Sequence, residues 1–278
     1  MNLKKHQITI DNTLFDYWTT DNGKTPLICI HGWAASYSNF LPIAPFLEKH
    51  FDLFLFDFPG NFEAPEWKNN YYIEDSIYFL STLIKTLQIQ NYFLLGESYG
   101  SLIALKFFLE SKNSAAGIIL ISLVMNVPSF LNNFFASLLK FLTYSFLFRS
   151  CIAFILKNKK FQTFWVNLLI NKNTPYFESI KKITMEELNR VCVTAYIQGY
   201  ISILRVDTNN MLKKLFMNNV INKELIYGKS DPFSKWRNIE NVSKNPYIVI
   251  MDNCQHSPHL EQPEEFYNTI KVHLLNKI

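Results

Sequence analysis

The sequence predicts an α/β fold: a mostly parallel central sheet flanked by helices and interrupted by an all-helical insertion. Three observations carry that reading. Residues 27–30, 53–56, 92–95 and 117–123 are short unbroken apolar runs, the pattern of strands buried on both faces. Helix-period sequence separates them, and strands alternating with helices build βαβ units with parallel strands. The rhythm stops between Asn126 and Arg205, where aromatic stretches contain no buried-strand run, and it resumes afterwards. The chain is therefore expected to divide into a first core part at 1–125, a helical cap at 126–205 and a second core part at 206–278.

Taken in order, residues 7–10 and 14–19 alternate around Asp11-Asn12 and read as an N-terminal β-hairpin. Asp21-Asn22-Gly23 supplies a second turn. The first buried strand, 27–30, ends at His31-Gly32-Trp33. A helix is expected over 40–49, with prolines near its start. The strand 53–56 ends at the turn Asp57-Phe58-Pro59-Gly60. Ile73, Ile77, Leu80, Ile84 and Leu87 recur at spacings of four, three, four and three, which gives a helix over about 74–87 one apolar face. The strand 92–95 then runs into Gly96-Glu97-Ser98-Tyr99-Gly100 and out into an apolar helix, and 117–123 is the next strand. Within the insertion, 130–156, 161–170 and 185–204 read as helical. Residues 224–227 and 247–251 restore the strands, ending at Asp231-Pro232 and near His256, and 263–278 is a closing helix.

Composition bounds the class. A chain of 278 residues with 49% apolar and 18% charged residues can bury a substantial core, which excludes disorder, and 8 glycines with 11 prolines exclude a fibrous chain. Cys29, Cys151, Cys192 and Cys254 are scattered without a C-x-x-C pair, so neither a disulfide framework nor a zinc knuckle is indicated and a reducing, cytoplasmic setting is expected. Lys4 and Lys5 have no apolar stretch behind them, so no signal peptide is expected. No window of about 18 uninterrupted apolar residues occurs. The formal charge of +4 is unevenly spread: between Asn126 and Arg205, ten lysines and arginines face three acids, a local balance of +7. The basic residues match no nucleic-acid motif, so no nucleic-acid partner is expected.

The chemistry centres on Ser98. In G-x-S-x-G, a serine at a tight strand-to-helix turn is held in a strained conformation above the sheet edge, where a carbonyl can reach its hydroxyl. That hydroxyl becomes a useful nucleophile when a histidine takes its proton and a carboxylate holds the histidine in the right tautomer. Asp231 and His256 each follow a predicted strand, and in a parallel sheet those loops share an edge with Ser98. Asp231 comes 133 positions after Ser98, and His256 comes 25 after Asp231. Two backbone N–H groups, of Trp33 and Tyr99, are placed to form an oxyanion hole, each donor worth about 2.7–4 kcal/mol to the transition state.

Together, His31-Gly32-Trp33, Asp57-Phe58-Pro59-Gly60, Gly96-Glu97-Ser98-Tyr99-Gly100, Tyr227-Gly228-Lys229-Ser230-Asp231-Pro232 and His256-Ser257-Pro258-His259-Leu260-Glu261-Gln262-Pro263 resemble the α/β-hydrolase family over nearly the whole core, though not the insertion. The H-G-W start and modest size are similar to small carboxylesterases, including the pimeloyl-carrier-protein methyl ester esterases. The resemblance implies an α/β-hydrolase fold, no cofactor, no metal, and hydrolysis of a carboxylic ester by Ser98, Asp231 and His256 with Trp33 and Tyr99 as oxyanion donors. An acyltransferase or C–C bond hydrolase would use the same triad, and a ligand receptor would keep the fold without it. Two departures stand out: Gln255 replaces the usual glycine before the histidine, and Asn61-Phe62-Glu63 replaces G-x-G-x-S after Asp-x-Pro-Gly.

Other readings compete at several positions. His259 rivals His256. Asp57 reads as a loop-fixing residue, His31 as a support for the oxyanion loop, and Glu97 receives no role. Cys254, His256 and His259 form C-x-H-x-x-H, but no further ligand cluster accompanies it. The aromatic run 130–154 is expected to be cap-helix core and acyl-pocket lining, with lipid contact as the other use of an apolar lid bordered by Lys157, Lys159 and Lys160. The basic cap also suits an acidic acyl carrier protein as partner.

Overall fold

A computed structural model describes residues 3–111, 115–126, 128–217, 222–234 and 245–273. Strand β1 (Lys4–Ile10) pairs with β2 (Thr13–Thr19) as an antiparallel hairpin. Its turn residues Asp11 and Asn12 both take positive φ, a conformation their short polar side chains tolerate. Strands β3 (Thr25–Ile30), β4 (Phe51–Phe56), β5 (Tyr92–Glu97), β6 (Ala115–Ile121), β7 (Lys223–Gly228) and β8 (Ile248–Met251) are parallel. The sheet order is β1-β2-β4-β3-β5-β6-β7-β8, with β2 antiparallel to β4. From β3 the chain goes outward to β4 and then crosses back to β5 on the other side. The loops after β3 and β5 thus flank the point where strand order reverses, the place where open α/β sheets bind ligands.

The unbroken apolar strands feed two opposite faces, as their twofold alternation requires. Ile28, Ile30 and Leu94 cluster with Leu102, Ile103 and Leu215, whereas Leu27, Cys29 and Leu95 cluster with Phe40, Leu47 and Phe266. Helices α2 (Ile73–Thr86) and α3 (Tyr99–Glu110) cover the first face. The expected helix over 40–49 is not continuous: a short 3₁₀ turn (Tyr37–Phe40) precedes a single turn, α1 (Ala44–Leu47). Pro42 and Pro45 explain the break, since each removes a backbone donor and fixes φ.

After β6 come α4 (Phe130–Leu142), α5 (Phe146–Leu156), α6 (Lys159–Leu169), α7 (Phe177–Arg190) and α8 (Val193–Arg205). The expected stretch 130–156 is two helices meeting at 104°. Ser145 Oγ accepts from the Phe148 N–H and caps the second of them. The stretch 185–204 likewise belongs to two helices, parted at Val191 and Cys192, whose backbones are extended. There the Cys192 N–H donates to the Gly60 carbonyl at 2.7 Å, a bond outside the cap that a continuous helix would forgo. Helix α9 (Thr208–Met217) was not expected; it buries Leu212 and Leu215 beneath the sheet. Helices α10 (Pro258–Glu261) and α11 (Pro263–His273) close the chain, and the expected continuation over 274–278 lies outside the described residues.

The join between β5 and α3 positions the site. A Cβ on Gly100 would lie 2.1 Å from the Ile30 carbonyl oxygen and 2.4 Å from that of His31, and one on Gly96 would lie 2.6 Å from the Gly100 oxygen. The first turn of α3 therefore packs directly on the end of β3, backbone against backbone. Gly23 has positive φ (+72°) but open space around its Cα. Gly100→Ala is expected to lower the melting temperature by on the order of 10 °C. Gly23→Ala carries only the left-handed strain of about 1–2 kcal/mol and is expected to lower it less. Equal shifts by differential scanning calorimetry would show that the close approach is not under compression.

Candidate active site

Ser98 sits between β5 and α3 with φ +53° and ψ −112°, a conformation that non-glycine residues rarely adopt. The strain is held because the Ser98 N–H donates to the Ile121 carbonyl at 2.8 Å while the adjoining turn is wedged against β3. Ser98 Oγ lies 2.8 Å from His256 Nε2, and His256 Nδ1 lies 2.9 Å from Asp231 Oδ1. The structure thus brings all three expected side chains into one hydrogen-bonded line. Asp231 follows β7 and also accepts from the N–H groups of Phe233 (2.8 Å) and Ser234 (3.2 Å).

Electrostatics favour a charged Asp231. Burial pushes its carboxyl up, but the His256 charge, the His256 hydrogen bond and the two backbone donors outweigh burial and leave it below the usual range. Burial likewise pulls His256 down, and Asp231, by charge and by hydrogen bond, more than reverses that, so its pKa stands above the ordinary value. The rival His259 is fully buried with its Nε2 3.7 Å from Glu97 Oε2, beyond hydrogen-bond reach, and neither of its ring nitrogens makes a hydrogen bond among the described residues.

The two expected amide donors flank the serine. Tyr99 is the first residue of α3, where a helix leaves its N–H groups without intrahelical acceptors. Trp33 follows Gly32, whose Cα is close enough to the serine that a Cβ there would lie 3.6 Å from Ser98 Cβ. His31 braces this loop: with one ring nitrogen 2.8 Å from the Gly32 carbonyl and the other 2.9 Å from the Phe58 N–H, it donates through Nδ1 and accepts through Nε2. Burial pushes its pKa down to about 4, which keeps it neutral in that role. Asp57 accepts from the Tyr37 N–H at 2.7 Å and fixes a loop, as its reading expected.

Three acids that the sequence did not mark out are structural parts of the site. Glu97 is buried and accepts from Asn39 Nδ2 (3.1 Å) and Ser257 Oγ (3.0 Å). Glu261 accepts from the N–H groups of Gln255, Ser257 and Asn171, so it shapes the loop carrying His256. Glu187 on α7 accepts from Ser36 Oγ at 2.6 Å, and burial raises its carboxyl well above the usual range. Burial of a lone carboxylate depends on tertiary partners; Glu97, inside Gly96-Glu97-Ser98-Tyr99-Gly100, and Glu261, inside the Pro-His-Leu-Glu-Gln-Pro run, stood in segments singled out by sequence, and Glu187 did not.

A pocket of about 150 Å³ opens onto Ser98 and His256. Trp165, Leu169, Leu188, Ile203, Phe233 and Leu260 make it mostly apolar, with Asn39, Glu97 and Glu187 as a polar corner. Its helical walls come from α6, α7 and α8, with Leu260 added from α10. The aromatic run 130–154, expected as core and pocket lining, does neither for the most part: none of it lines the pocket, and Phe130, Phe141, Phe146 and Phe154 are 73–88% exposed. An apolar run reports which segment is hydrophobic but not whether another element covers it. The substituted loop Asn61-Phe62-Glu63 is tied to α7, with Glu63 3.1 Å from Arg190 and the Arg190 guanidinium 4.9 Å above the Phe62 ring.

No curated protein sequence matches the chain. Solved structures do, including a thermophilic esterase from Thermogutta terrifontis (18% identity, 100% of this chain and 99% of that one, TM-score 0.75). A bacterial membrane phospholipase A (19%, 99% and 86%, TM-score 0.74) and 2-hydroxy-6-oxo-6-phenylhexa-2,4-dienoate hydrolase from Rhodococcus sp. strain RHA1 (16%, 98% and 98%, TM-score 0.72) are similar in fold. At such identities the likeness is one of fold alone. A family model described as the alpha/beta hydrolase fold matches residues 25–263, which spans both ends of the parallel sheet and every residue of the hydrogen-bonded line, and the chain belongs to the α/β-hydrolase fold family.

Proposed function

We propose that this protein is a serine hydrolase of carboxylic esters. The observation that carries the reading is the continuous line from Ser98 Oγ through His256 to Asp231, at 2.8 and 2.9 Å. As Ser98 attacks the ester carbonyl, His256 Nε2 takes its proton, and Asp231 stabilises the imidazolium that results. The oxyanion forms against the Trp33 and Tyr99 amides. His256 returns the proton to the leaving alcohol, and a water activated by the same histidine then releases the acid. Serine at the elbow supports this chemistry over epoxide or haloalkane opening, for which the family uses aspartate there.

Pocket size supports a substrate class. A cavity of about 150 Å³ holds a benzene-sized group, so short acyl esters fit better than a pimeloyl chain carried on a protein. An acyltransferase or C–C bond hydrolase would share the acyl-enzyme but not the ester turnover.

A fluorophosphonate probe is expected to label the wild type and not Ser98→Ala, with p-nitrophenyl acetate and butyrate turned over faster than octanoate. Labelling without ester turnover would move the assignment to transfer or C–C cleavage, and no labelling would end it. Asp231→Asn leaves the histidine in the wrong tautomer and is expected to cut kcat by about 10⁴-fold. The reaction needs neutral His256, and that residue binds its proton more tightly than an ordinary histidine. The kcat/KM is therefore expected to fall as pH drops, with a midpoint above the unperturbed 6.5, and to be level on the alkaline side. A midpoint below 6.5 would contradict the Asp231–His256 coupling.

A further inference from the structure

Helices α4 and α5 leave a large apolar face without a partner. Of the eighteen exposed large apolar side chains among the described residues, eleven lie between Phe130 and Ile155. Phe130, Phe134, Leu138 and Phe141 recur at helical spacing along the outer side of α4, while Ala136 and Leu139 on its inner side pack on Ile197 and Ile201 of α8. On α5, Phe146, Leu147 and Phe154 stand outward, and Ile152 and Leu156 pack inward near Ala34 and Leu188. The face is thus one side-chain layer from the pocket wall. Isolated exposed apolar residues are ordinary, but a contiguous set of this kind marks a binding surface.

Charge identifies the occupant. No aspartate or glutamate occurs between Glu110 and Glu178, while Lys140, Arg149, Lys157, Lys159 and Lys160 fall in or beside the two helices. Lys157 caps the end of α5 and Lys159 and Lys160 open α6, and all three are exposed. Neither helix can cross a bilayer: 13 and 11 residues reach only about 20 and 16 Å, against about 30 Å of hydrocarbon. Two axes meeting at an angle define a plane, so both helices can lie flat on one surface together. We infer that the α4–α5 face seats the protein on an anionic lipid surface, its phenylalanines entering the interface and its lysines meeting the headgroups. An acidic carrier protein would match the cations but leave the apolar ridge uncovered.

The test is sedimentation of the full chain with vesicles of phosphatidylcholine alone or mixed with phosphatidylglycerol, a readout independent of Ser98. Wild type is expected to bind the mixed vesicles, less at high salt. Replacing Lys157, Lys159 and Lys160 with glutamine is expected to weaken this on the order of 100-fold. Replacing Phe130, Phe141 and Phe146 with serine should weaken it at least about tenfold, with melting temperature and p-nitrophenyl acetate turnover unchanged, because all three side chains are exposed. Three results would overturn the inference: no vesicle binding by wild type, binding indifferent to both sets of substitutions, or a concentration-dependent dimer that the phenylalanine substitutions abolish while vesicles stay unbound.

Discussion

The structure depends on one close contact between backbones, the first turn of α3 against the carboxyl end of β3. No side chain larger than hydrogen fits at Gly100 between the helix and the carbonyls of Ile30 and His31. That contact brings the loop after β3, with Gly32 and Trp33, beside the turn after β5. It also leaves Ser98 no relaxed conformation, because its N–H is tied to Ile121 while the helix beginning at the next residue is already wedged in place. The strain belongs to the fold as a whole, and the hydroxyl's position follows from it. The arrangement resembles a keystone more than a hinge.

Around this point the protein keeps an unusual amount of acid out of water. Glu97, Glu187 and Glu261 are all buried within the shell of Ser98 and His256, and each is answered by hydroxyl, amide or backbone donors and not by lysine or arginine. Neutral donors satisfy carboxyl oxygens without delivering the long flexible side chain that an ion pair would bring into the pocket. Two of them, Glu97 and Glu261, act on His256 with the same sign as Asp231: all three favour its protonated form against the burial that opposes it. The protonated imidazole is thus stabilised from several sides against a burial that would otherwise expel its proton.

Much of the core was legible because strands buried on both faces leave a signal that survives without context. The runs at 27–30, 53–56, 92–95 and 117–123 each fall within a strand or, at 117–123, run two residues beyond one, and the loops after β3, β5, β7 and β8 meet at a single rim. Helix α9 escaped notice because Thr208–Met217 interleaves Asn and Lys with its apolar residues, of which Leu212 and Leu215 are buried while Met211 and Phe216 pack only partly on the core. The breaks at Thr143–Ser145 and Val191–Cys192 were illegible for a different reason. Neither contains proline or glycine; each is set by bonds to distant or local partners, Gly60 for Cys192 and a serine cap for α5. The apolar stretch 130–154 shows the limit most plainly, since hydrophobicity along a chain cannot say which face another helix will cover.

Trp33 ties the loop beside Ser98 to α8. Its backbone belongs to the loop beside Ser98, while its indole donates to the Tyr196 carbonyl at 2.8 Å and stacks on Tyr196 and Tyr200 of α8. Gly199 lets the ring lie this near the helix, where a Cβ would stand 3.0 Å from it. Any lifting of α8 away from the sheet must therefore drag the indole, and with it the peptide beside Ser98. Helix α6 is coupled to the same place, since its Trp165 packs edge-on against the Trp33 ring at 5.9 Å and its Leu169 carbonyl accepts from the His256 N–H at 2.9 Å, so the pocket wall and the residues around Ser98 hold one register and shift together.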